Sequence, residues 1–362
     1  TFTNEKCEGD STKVYMTYER FPQDVKVGEK ILIDDGKLVL EVIETNEKDT
    51  VKAKTIQGGP LSSKKGVNLP NTNVALPALT EKDIEDAKFM LDNEFDWIAL
   101  SFVRHAQDII DLKELIKNHS NSEFRTPIIA KIEKPEGVKN IDEIMVECDG
   151  IMVARGDLGV EIPMEEVPVI QKRLVDKARY YSKPVIIATQ MMETMINSLT
   201  PSRAEVNDVA NNVLDGADAV MLSAETSVGR YPVKVVEYMR RIITQIESDD
   251  RIYHKEHEPE LKTVTYITDS ICYNASVMAK QAGVTAIISM THSGYTAFKL
   301  SSHRPKAHVF IFTDNKPLLN APEALIEPAD ATAPALAPIL TDLNPSPDVF
   351  ELTTLVLIVS PL

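Results

Sequence analysis

The chain has 362 residues, with 39 Lys and Arg against 55 Asp and Glu, so its formal net charge is −16. This acidic balance argues against nucleic acid and against an anionic membrane surface as partners. The cysteines Cys7, Cys148 and Cys272 are widely scattered. They are typical neither of a disulfide framework nor of a zinc site, and they indicate a reducing, cytoplasmic location. No apolar stretch has the length of a membrane span.

Residues 1–75 have the pattern of a β-rich domain. Short stretches of mixed apolar and polar residues predict strands, and Asp34-Asp35-Gly36 is a hairpin signal between two of them. The predicted strands are residues 13–18, 30–33, 37–44 and 50–56.

Residues 76–249 alternate between apolar runs of strand length and segments with a helical period. The runs are apolar on both faces, as expected for parallel strands that are covered on both sides. Five such alternations predict βα units in a parallel sheet or barrel. Thr80 and Asp83 predict a capping box at the start of this region. The predicted strands are residues 97–103, 128–133, 150–154, 184–190 and 219–225, and the predicted helices are 107–118, 137–147, 165–182, 203–214 and 233–247.

Charged and polar residues stand at the ends of these apolar runs. Lys131 and Glu133 end one run and Asp157 follows the next, while Thr189 and Glu225 end the last two. Side chains two residues apart on a strand point the same way, so we expect Lys131 and Glu133 to share a face. Solvent exposure is the simpler explanation for one such end. Its repetition favours a Mg²⁺ site for an anionic substrate at the carboxyl ends of the strands.

Residues 250–320 predict a smaller α/β unit, and residues 321–362 form an unusual tail. The unit is expected to contain helices at 265–282 and 295–301 and strands at 286–290 and 308–313. The tail has no Gly and no basic residue but a third of all the prolines, a composition that resists a packed core. We assign the tail no function.

Five motifs, in the same order, closely resemble those of pyruvate kinases. The resemblance runs from about residue 4 to residue 320, and the tail is unlike the family. It implies an α/β fold, a (β/α)₈ TIM barrel of which this chain holds the last five βα units, with a β-rich lid domain inserted after the third strand and a C-terminal α/β domain. The implied domains are 1–75, 76–249 and 250–320. The motifs are Ser-Ser-Lys-Lys-Gly-Val-Asn-Leu-Pro at 62–70, Ala-Lys-Ile-Glu-Lys-Pro-Glu-Gly at 130–137, Ala-Arg-Gly-Asp-Leu-Gly at 154–159, Ala-Thr-Gln-Met at 188–191 and the segment 200–226.

The resemblance implies roles for the residues at the strand ends. Lys131 would stabilise the transferring phosphoryl group, and Glu133 and Asp157 would bind Mg²⁺ or Mn²⁺. Gly156 would offer its backbone N–H to the substrate, and Thr189 would contact the substrate and help to relay a proton. Structural alternatives remain open: Lys131 can form a salt bridge with Glu133, and Thr189 can bond to backbone.

Three other segments receive weaker assignments. Lys65 resembles a lid lysine that reaches the nucleotide phosphates, although a pair of adjacent lysines is more often a solvated surface feature. Arg155 is left open between substrate-site packing and ion pairing, and the methionine-rich run 191–195 is interpreted as core and interface packing. A loop before the second helix of the C-terminal unit resembles the family's effector-phosphate loop, with an ordinary capped helix as the alternative. The loop comprises Thr291, His292, Ser293, Gly294, Tyr295 and Thr296.

The implied reaction is the transfer of a phosphoryl group from phosphoenolpyruvate to ADP, giving pyruvate and ATP. K⁺ would be a second cofactor, with its ligands expected upstream of residue 1, and a homotetramer is expected. The alternatives are another Mg²⁺-dependent barrel enzyme for pyruvate or phosphoenolpyruvate, an aldolase or a mutase, and a catalytically inactive fragment. Because the first three barrel strands are expected upstream, we expect residues 1–362 alone to be inactive and unstable.

Overall fold

The structure is a computed structural model that describes residues 1–34, 36–70, 72, 79–119, 125–261 and 263–313. These residues form three separate sheets of six, five and two strands. No helix in the described ranges combines the length and apolar character needed to cross a membrane.

Residues 1–70, called the lid here, form the six-stranded sheet. Its strand order is β2-β1-β5-β4-β3-β6, and antiparallel pairing joins β3 to β4 and β4 to β5. Apolar side chains such as Ile31, Val42 and Val51 are fully buried in the lid's own core. The predicted hairpin is confirmed by the β3–β4 pair, although Asp35 lies outside the described residues. The lid elements are β1 (Phe2–Thr3), β2 (Val14–Tyr15), α1 (Phe21–Asp24), β3 (Lys30–Ile33), β4 (Leu38–Thr45), β5 (Thr50–Gln57) and β6 (Val67–Asn68).

The next unit is a parallel sheet of five strands in the order β11-β10-β9-β8-β7. Consecutive strands are neighbours and each is followed by helix, as in part of a (β/α)₈ barrel. Every residue of β8 and β9 is buried, which explains why both strands are apolar apart from Lys131. The strands are β7 (Ile98–Leu100), β8 (Ile128–Ile132), β9 (Gly150–Ala154), β10 (Val185–Ala188) and β11 (Ala219–Met221).

The helices of this unit cover the sheet. They are α2 (Glu81–Asp92), α3 (Ala106–His119), α4 (Pro135–Lys139), α5 (Ile141–Glu147), α6 (Arg155–Glu161), α7 (Val167–Tyr180), α8 (Arg203–Asp215), α9 (Ala224–Ser227) and α10 (Pro232–Glu247), and short 3₁₀ turns lie at Met164–Glu166, Glu193–Ile196 and Asp250–Ile252.

The predicted helix starts are partly confirmed and partly corrected. The capping box at Thr80 and Asp83 is present. The single helix predicted at 137–147 is wrong, because α4 and α5 meet at Asn140, whose side chain donates a 2.9 Å hydrogen bond to the carbonyl of Arg104. Gly137 lies so close to the loop after β7 that a Cβ would stand 2.5 Å from the Val103 carbonyl oxygen. Packing against that loop therefore requires glycine.

The C-terminal unit comprises two helices and a parallel pair of strands. It contacts the five-stranded unit through Arg304, whose guanidinium lies 2.6 Å from the Asp218 carboxylate, and through a 3.2 Å hydrogen bond between Ser182 and Ser302. Its elements are α11 (Tyr266–Ala282), β12 (Ala286–Met290), α12 (Tyr295–Ser302) and β13 (His308–Phe312). Residues 314–362, including the tail, lie outside the described ranges.

Candidate active site

The candidate site lies where β7, β8, β9 and β10 end at one edge of the parallel sheet. Glu133 directly follows β8, Asp157 lies in the first turn of α6 directly after β9, and Thr189 directly follows β10. The structure thus places these three side chains at the edge that the sequence predicted. Parallel registers of β8–β9 and β9–β10 fix their relative positions.

Lys131 and Glu133 form the charged centre of this edge. The Lys131 ammonium lies 2.7 Å from one oxygen of Glu133 and 2.9 Å from the Ser101 hydroxyl. Only 11% of the Lys131 side chain and 1% of the Glu133 side chain are exposed. The expectation that the two side chains share a face is confirmed. Their salt bridge was the structural alternative for Lys131, and it is compatible with a catalytic role because a substrate can approach the same ammonium.

Glu133 is held in an environment that resists its ionisation. Burial raises the pKa of Glu133, the Lys131 ammonium opposes that change, and the nearby charge of Asp157 raises the pKa further. Its second oxygen accepts a 2.7 Å hydrogen bond from the backbone N–H of Phe102. Phe102 has φ 55°, in the left-handed region. Phe102, whose backbone N–H donates to the Glu133 carboxylate, therefore has a backbone conformation that is uncommon for residues other than glycine.

Gly156 and Thr189 lie next to each other, as predicted for two residues that contact the substrate. In this structure they are hydrogen-bonded to each other. The Gly156 N–H donates a 2.8 Å hydrogen bond to the Thr189 hydroxyl. A Cβ on residue 156 would stand 3.1 Å from that hydroxyl oxygen, so glycine permits this close approach. The structural alternative for Thr189, a hydroxyl bonded to backbone, is therefore observed. Thr189 also has φ 69°, a genuine outlier for a β-branched residue.

Arg155 forms an ion pair with Asp208 at the same edge of the parallel sheet. Its guanidinium lies 2.8 Å from a carboxylate oxygen of Asp208 and donates a 2.8 Å hydrogen bond to the carbonyl oxygen of Thr189. Of the two roles left open by the sequence, the structure shows ion pairing. The guanidinium also satisfies the carbonyl of the strained residue Thr189, which helps to hold that conformation.

The strand-end carboxylates form a donor set that suits a hard divalent cation. Within the described ranges, no three or more His, Cys, Asp or Glu side chains are grouped to hold a metal ion. Mg²⁺ needs fewer protein ligands, since one or two carboxylates commonly bind it together with water and substrate oxygens. The like charges of Glu133 and Asp157 act on each other, and burial penalises the charge of Glu133. A divalent cation would offset both costs, so the residues fit Mg²⁺ or Mn²⁺.

The sequence predicted that Glu225 ends the last strand, but β11 ends at Met221 and Glu225 lies in α9, where it has a structural role. Its carboxylate is buried and accepts backbone hydrogen bonds from Met192 at 3.2 Å and from Ser223 at 2.7 Å. Met191, Met192 and Met195 are fully buried, which confirms the prediction of core packing for the methionine-rich run.

Lys65 lies on the lid and is paired there. Its ammonium is 2.8 Å from the Asp34 carboxylate, and 38% of its side chain is exposed. Hydrogen bonding by Lys65 holds the pKa of Asp34 below its ordinary value. This pair corresponds to the surface alternative, and contact of Lys65 with a nucleotide stays a prediction.

The predicted effector loop starts α12 through local hydrogen bonds. Gly294 has φ 85°, and its N–H donates to the Thr291 hydroxyl at 3.0 Å, while the Tyr295 N–H donates to the Ser293 hydroxyl at 3.4 Å. The N-cap residue of α12 is Gly294, which has no side chain to accept a capping hydrogen bond, so these bonds order the loop before the helix and are not the ordinary N-cap of the alternative. His292 and Ser293 are exposed and Thr296 is half-buried. Phosphate binding by this loop stays a prediction.

Two site residues, Ser101 and Phe102, were missed from the sequence. They lie just after β7, and the structure places the Ser101 hydroxyl on Lys131 and the Phe102 amide on Glu133. The polar Ser101 at the end of an apolar run was an available signal. The role of Phe102 depends on its backbone N–H, which carries no sequence signal.

The comparisons with known proteins agree with this geometry. A family model described as the pyruvate kinase barrel domain matches residues 1–236, and one described as the pyruvate kinase alpha/beta domain matches residues 269–329. The second match extends past residue 320, where the resemblance read from the sequence ended.

Individual relatives point to the same family. A pyruvate kinase from Mycobacterium intracellulare is 46% identical over 308 residues, covering 85% of this chain and 63% of the relative. One from Corynebacterium glutamicum is 45% identical over 318 residues, covering 87% of this chain and 64% of the relative. A crystal structure of a pyruvate kinase from Cryptosporidium parvum matches with a TM-score of 0.81 and 36% identity, covering 89% of this chain and 66% of that one. The chain thus spans less than two thirds of the curated relatives.

Proposed function

The chain belongs to the pyruvate kinase family, and on that premise we propose that it takes part in phosphoryl transfer from phosphoenolpyruvate to ADP, giving pyruvate and ATP. The observation that carries this proposal is the buried Lys131–Glu133 pair, which lies beside Asp157 at the carboxyl ends of the strands. A cation and two carboxylates at this edge suit an anionic, oxygen-rich substrate.

The side chains at the strand ends would act mainly through charge and position. The Lys131 ammonium would lie against the phosphoryl oxygens, where charge is concentrated during transfer. Glu133 and Asp157 would hold Mg²⁺ or Mn²⁺, which when bound neutralises charge on the substrate oxygens. The Gly156 N–H and the Thr189 hydroxyl, which bond to each other, would exchange that bond for contacts with substrate. Thr189 would then be placed to help deliver a proton to the enolate carbon.

The lid would contribute the nucleotide contacts and exclude water. Lys65 would leave Asp34 to reach the phosphates of ADP, and lid closure would keep water from accepting the phosphoryl group. K⁺ would serve as a second cation, and the active assembly would be a cytoplasmic homotetramer. The domain boundaries at residues 75, 249 and 320 remain part of this proposal.

The family match favours this reaction over an aldolase or a mutase, because the matched barrel model includes the lid residues. The reaction is tested by measuring pyruvate formation from phosphoenolpyruvate with and without ADP, in the presence of Mg²⁺ and K⁺. Formation that requires ADP supports the proposal, while pyruvate or another product formed without ADP contradicts it. The assay should include both residues 1–362 and a longer polypeptide with upstream barrel strands, since we expect only the longer one to be active.

The loop from Thr291 to Thr296 would hold the phosphate of a sugar-phosphate effector. Its supporting feature is the group of hydroxyls around the start of α12, on the exposed Ser293 and the half-buried Thr291 and Thr296. Calorimetric titration with a sugar bisphosphate tests this assignment. Absence of heat at high ligand concentration, with an active enzyme, would assign the loop to helix capping alone.

A further inference from the structure

Glu161 joins the lid to the two segments that carry the proposed metal ligands. It is the last residue of α6, the helix whose first turn contains Asp157. One carboxylate oxygen of Glu161 lies 2.5 Å from the Lys134 ammonium and accepts a 2.9 Å hydrogen bond from the Asn68 side-chain amide. Lys134 follows Glu133 directly in the sequence, and Asn68 belongs to the lid.

The Glu161 carboxylate is buried, with 2% of its side chain exposed. A buried charge is costly unless it is paired and hydrogen-bonded. Lys134 supplies the opposite charge, and its ammonium also lies 5.9 Å from the centre of the Phe102 ring. Glu161 and Lys134 therefore form a fixed acceptor on the barrel side, next to the residues that contact Glu133.

Asn68 is the lid residue that donates a hydrogen bond to the Glu161 carboxylate. It lies on β6, the edge strand of the lid sheet, opposite Leu32 of β3. Its neighbours Val67 and Leu69 pack in the lid core, so the alternation of side chains directs Asn68 to the other face. There its amide reaches a residue of the barrel unit rather than another lid residue.

The same edge of the lid carries Lys65. The carbonyl of Gly66, next to Lys65, accepts a 3.1 Å hydrogen bond from the Asp34 N–H, and the Lys65 ammonium pairs with the Asp34 carboxylate. The position of Asn68 therefore also sets the position of Lys65 relative to the barrel, because both belong to one short, hydrogen-bonded segment.

We propose that the Asn68–Glu161 hydrogen bond, supported by Lys134, is a latch that sets the position of the lid over the active site. Asn68 and Glu161 are positioning residues in this proposal, since they act through the placement of Lys65 rather than by touching the reacting atoms. The assignment of a nucleotide to Lys65 rests on the proposed function. The latch itself rests on the contacts between lid and barrel, so it can be tested without turnover.

The test measures the distance between lid and barrel in the purified protein. Cys7 on the lid is exposed, whereas Cys148 and Cys272 are buried, so a spin label can be placed on Cys7 and a second on Lys88→Cys of the exposed face of α2. Double electron–electron resonance then reports the lid position without substrate.

Asn68→Asp places two carboxylates against each other and should raise the proportion of open lid about tenfold or more, as expected for a lost hydrogen bond to a charged group. Asn68→Leu, which adds no charge, should act in the same direction. Asn68→Asp combined with Glu161→Gln should restore the original distance, because the new amide donates to the new carboxylate. Asn46→Asp in the exposed β4–β5 turn is the matched control and should leave the distance unchanged.

Kinetics on the active protein separate the latch from a general loss of structure. Asn68→Asp should raise KM for ADP about tenfold while Mg²⁺ affinity without nucleotide stays the same, and the double variant should recover KM. An unchanged distance in both Asn68 variants would overturn the latch. A distance that responds, together with product formation from phosphoenolpyruvate that does not require ADP, would support the latch and contradict the proposed function.

Discussion

Groups that can carry charge are buried both at the edge of the parallel sheet and at the junction with the C-terminal unit. The two places differ in the hydrogen-bond and ion-pair partners that these groups have. At the sheet edge, the buried Glu133 lies 2.7 Å from the Lys131 ammonium and also accepts the Phe102 amide. At the junction, His257 and His303 stack with ring centres 4.7 Å apart. Within the described residues, neither ring nitrogen of His303 has a hydrogen-bond partner.

Two cationic side chains, Lys299 and Arg179, act on the junction histidines with the same sign of charge as a protonated imidazole. The Lys299 ammonium lies 3.3 Å from Nε2 of His257 and is itself buried. Burial, followed by Lys299 and Arg179, lowers the pKa of His257 to about 4. Burial, followed by His257 and Lys299, also lowers the pKa of His303 to about 4, although the carboxylate of Asp269 acts in the opposite direction.

Burial makes the charged form of a side chain costly at both places, and the structure meets this cost in two ways. At the sheet edge, the buried Glu133 has an opposite charge and a backbone donor. A group without such partners stays neutral, as at the junction. The candidate active site thus holds a buried carboxylate beside an opposite charge, whereas His257 at the junction lies beside a buried ammonium.

The strongest test of the sheet edge is Lys131→Met. Removing the ammonium should lower kcat about 10²–10³-fold, as for other lost electrostatic stabilisers of a transition state. It should also raise the pKa of Glu133, because the Lys131 charge opposes the effect of burial on that group. Steady-state kinetics in the active protein measure the first effect, and the exposed Lys139→Met is the matched control. Turnover within a few-fold of normal would make Lys131 a structural residue.

The second test concerns the paired carboxylates. Asp157→Asn should weaken Mn²⁺ or Mg²⁺ binding about 10–100-fold or more, by analogy with the loss of supporting ligands. The pKa of Glu133 should fall at the same time, since the charge of Asp157 raises it. Titration with Mn²⁺ followed by electron paramagnetic resonance measures the affinity. The exposed Asp176→Asn on α7 is the control, and equal affinities in the two variants would remove Asp157 from the site.

The third test is the acid response of the junction. The pKa of His303 is about 4 in the folded chain against an ordinary value of 6.5, so protonation favours unfolding. Its contribution to stability is complete above pH 6.5 and is lost as the pH falls towards 4. By pH 5 the loss should be about 2 kcal/mol, at 1.36 kcal/mol for each pKa unit.

His303→Phe keeps a buried ring without a titrating group. We therefore expect the free energy of unfolding to vary less between pH 6.5 and 5 in this variant, by about 2 kcal/mol. Urea unfolding at several pH values measures this slope, and His308→Phe in the same unit is the control. An identical pH slope in His303→Phe and in the unmodified chain would show that the junction imidazole is not held neutral by burial.

The sheet edge could be predicted from the sequence to a large extent, and the junction could not. The runs Ile128–Ile132 and Gly150–Ala154 are apolar apart from Lys131 and are followed by charged residues, so their ends were predicted to within a residue. The period of a strand then placed Lys131 beside Glu133. The part played by Phe102 depends on a backbone amide and a left-handed φ, which follow from tertiary packing.

No local pattern relates His257 to His303. They are far apart in the sequence, and the chain brings them together through tertiary contacts, including a 2.9 Å backbone hydrogen bond from the Lys255 N–H to the His303 carbonyl. The break at Asn140 was missed for the same reason, because its side chain caps a distant loop. Sequence periodicity identifies strands and their ends, while side chains buried between units depend on contacts that it does not encode.

The smallest expected effect concerns Asp269, a buried carboxylate at the junction that has hydrogen-bond donors, as Glu133 has at the sheet edge. Asp269 is buried there, and its carboxylate accepts hydrogen bonds from the Tyr295 hydroxyl at 2.6 Å and from the Thr265 hydroxyl at 2.9 Å. Tyr295→Phe removes one of these donors and should lower the free energy of unfolding by about 1 kcal/mol, because 38% of Tyr295 is exposed and water can partly replace its hydroxyl. Tyr273→Phe on the same helix as Asp269 is the control, measured alongside by urea unfolding. If both variants lose the same stability, the loss does not come from the Tyr295–Asp269 hydrogen bond, and Asp269 does not depend on its pairing with Tyr295.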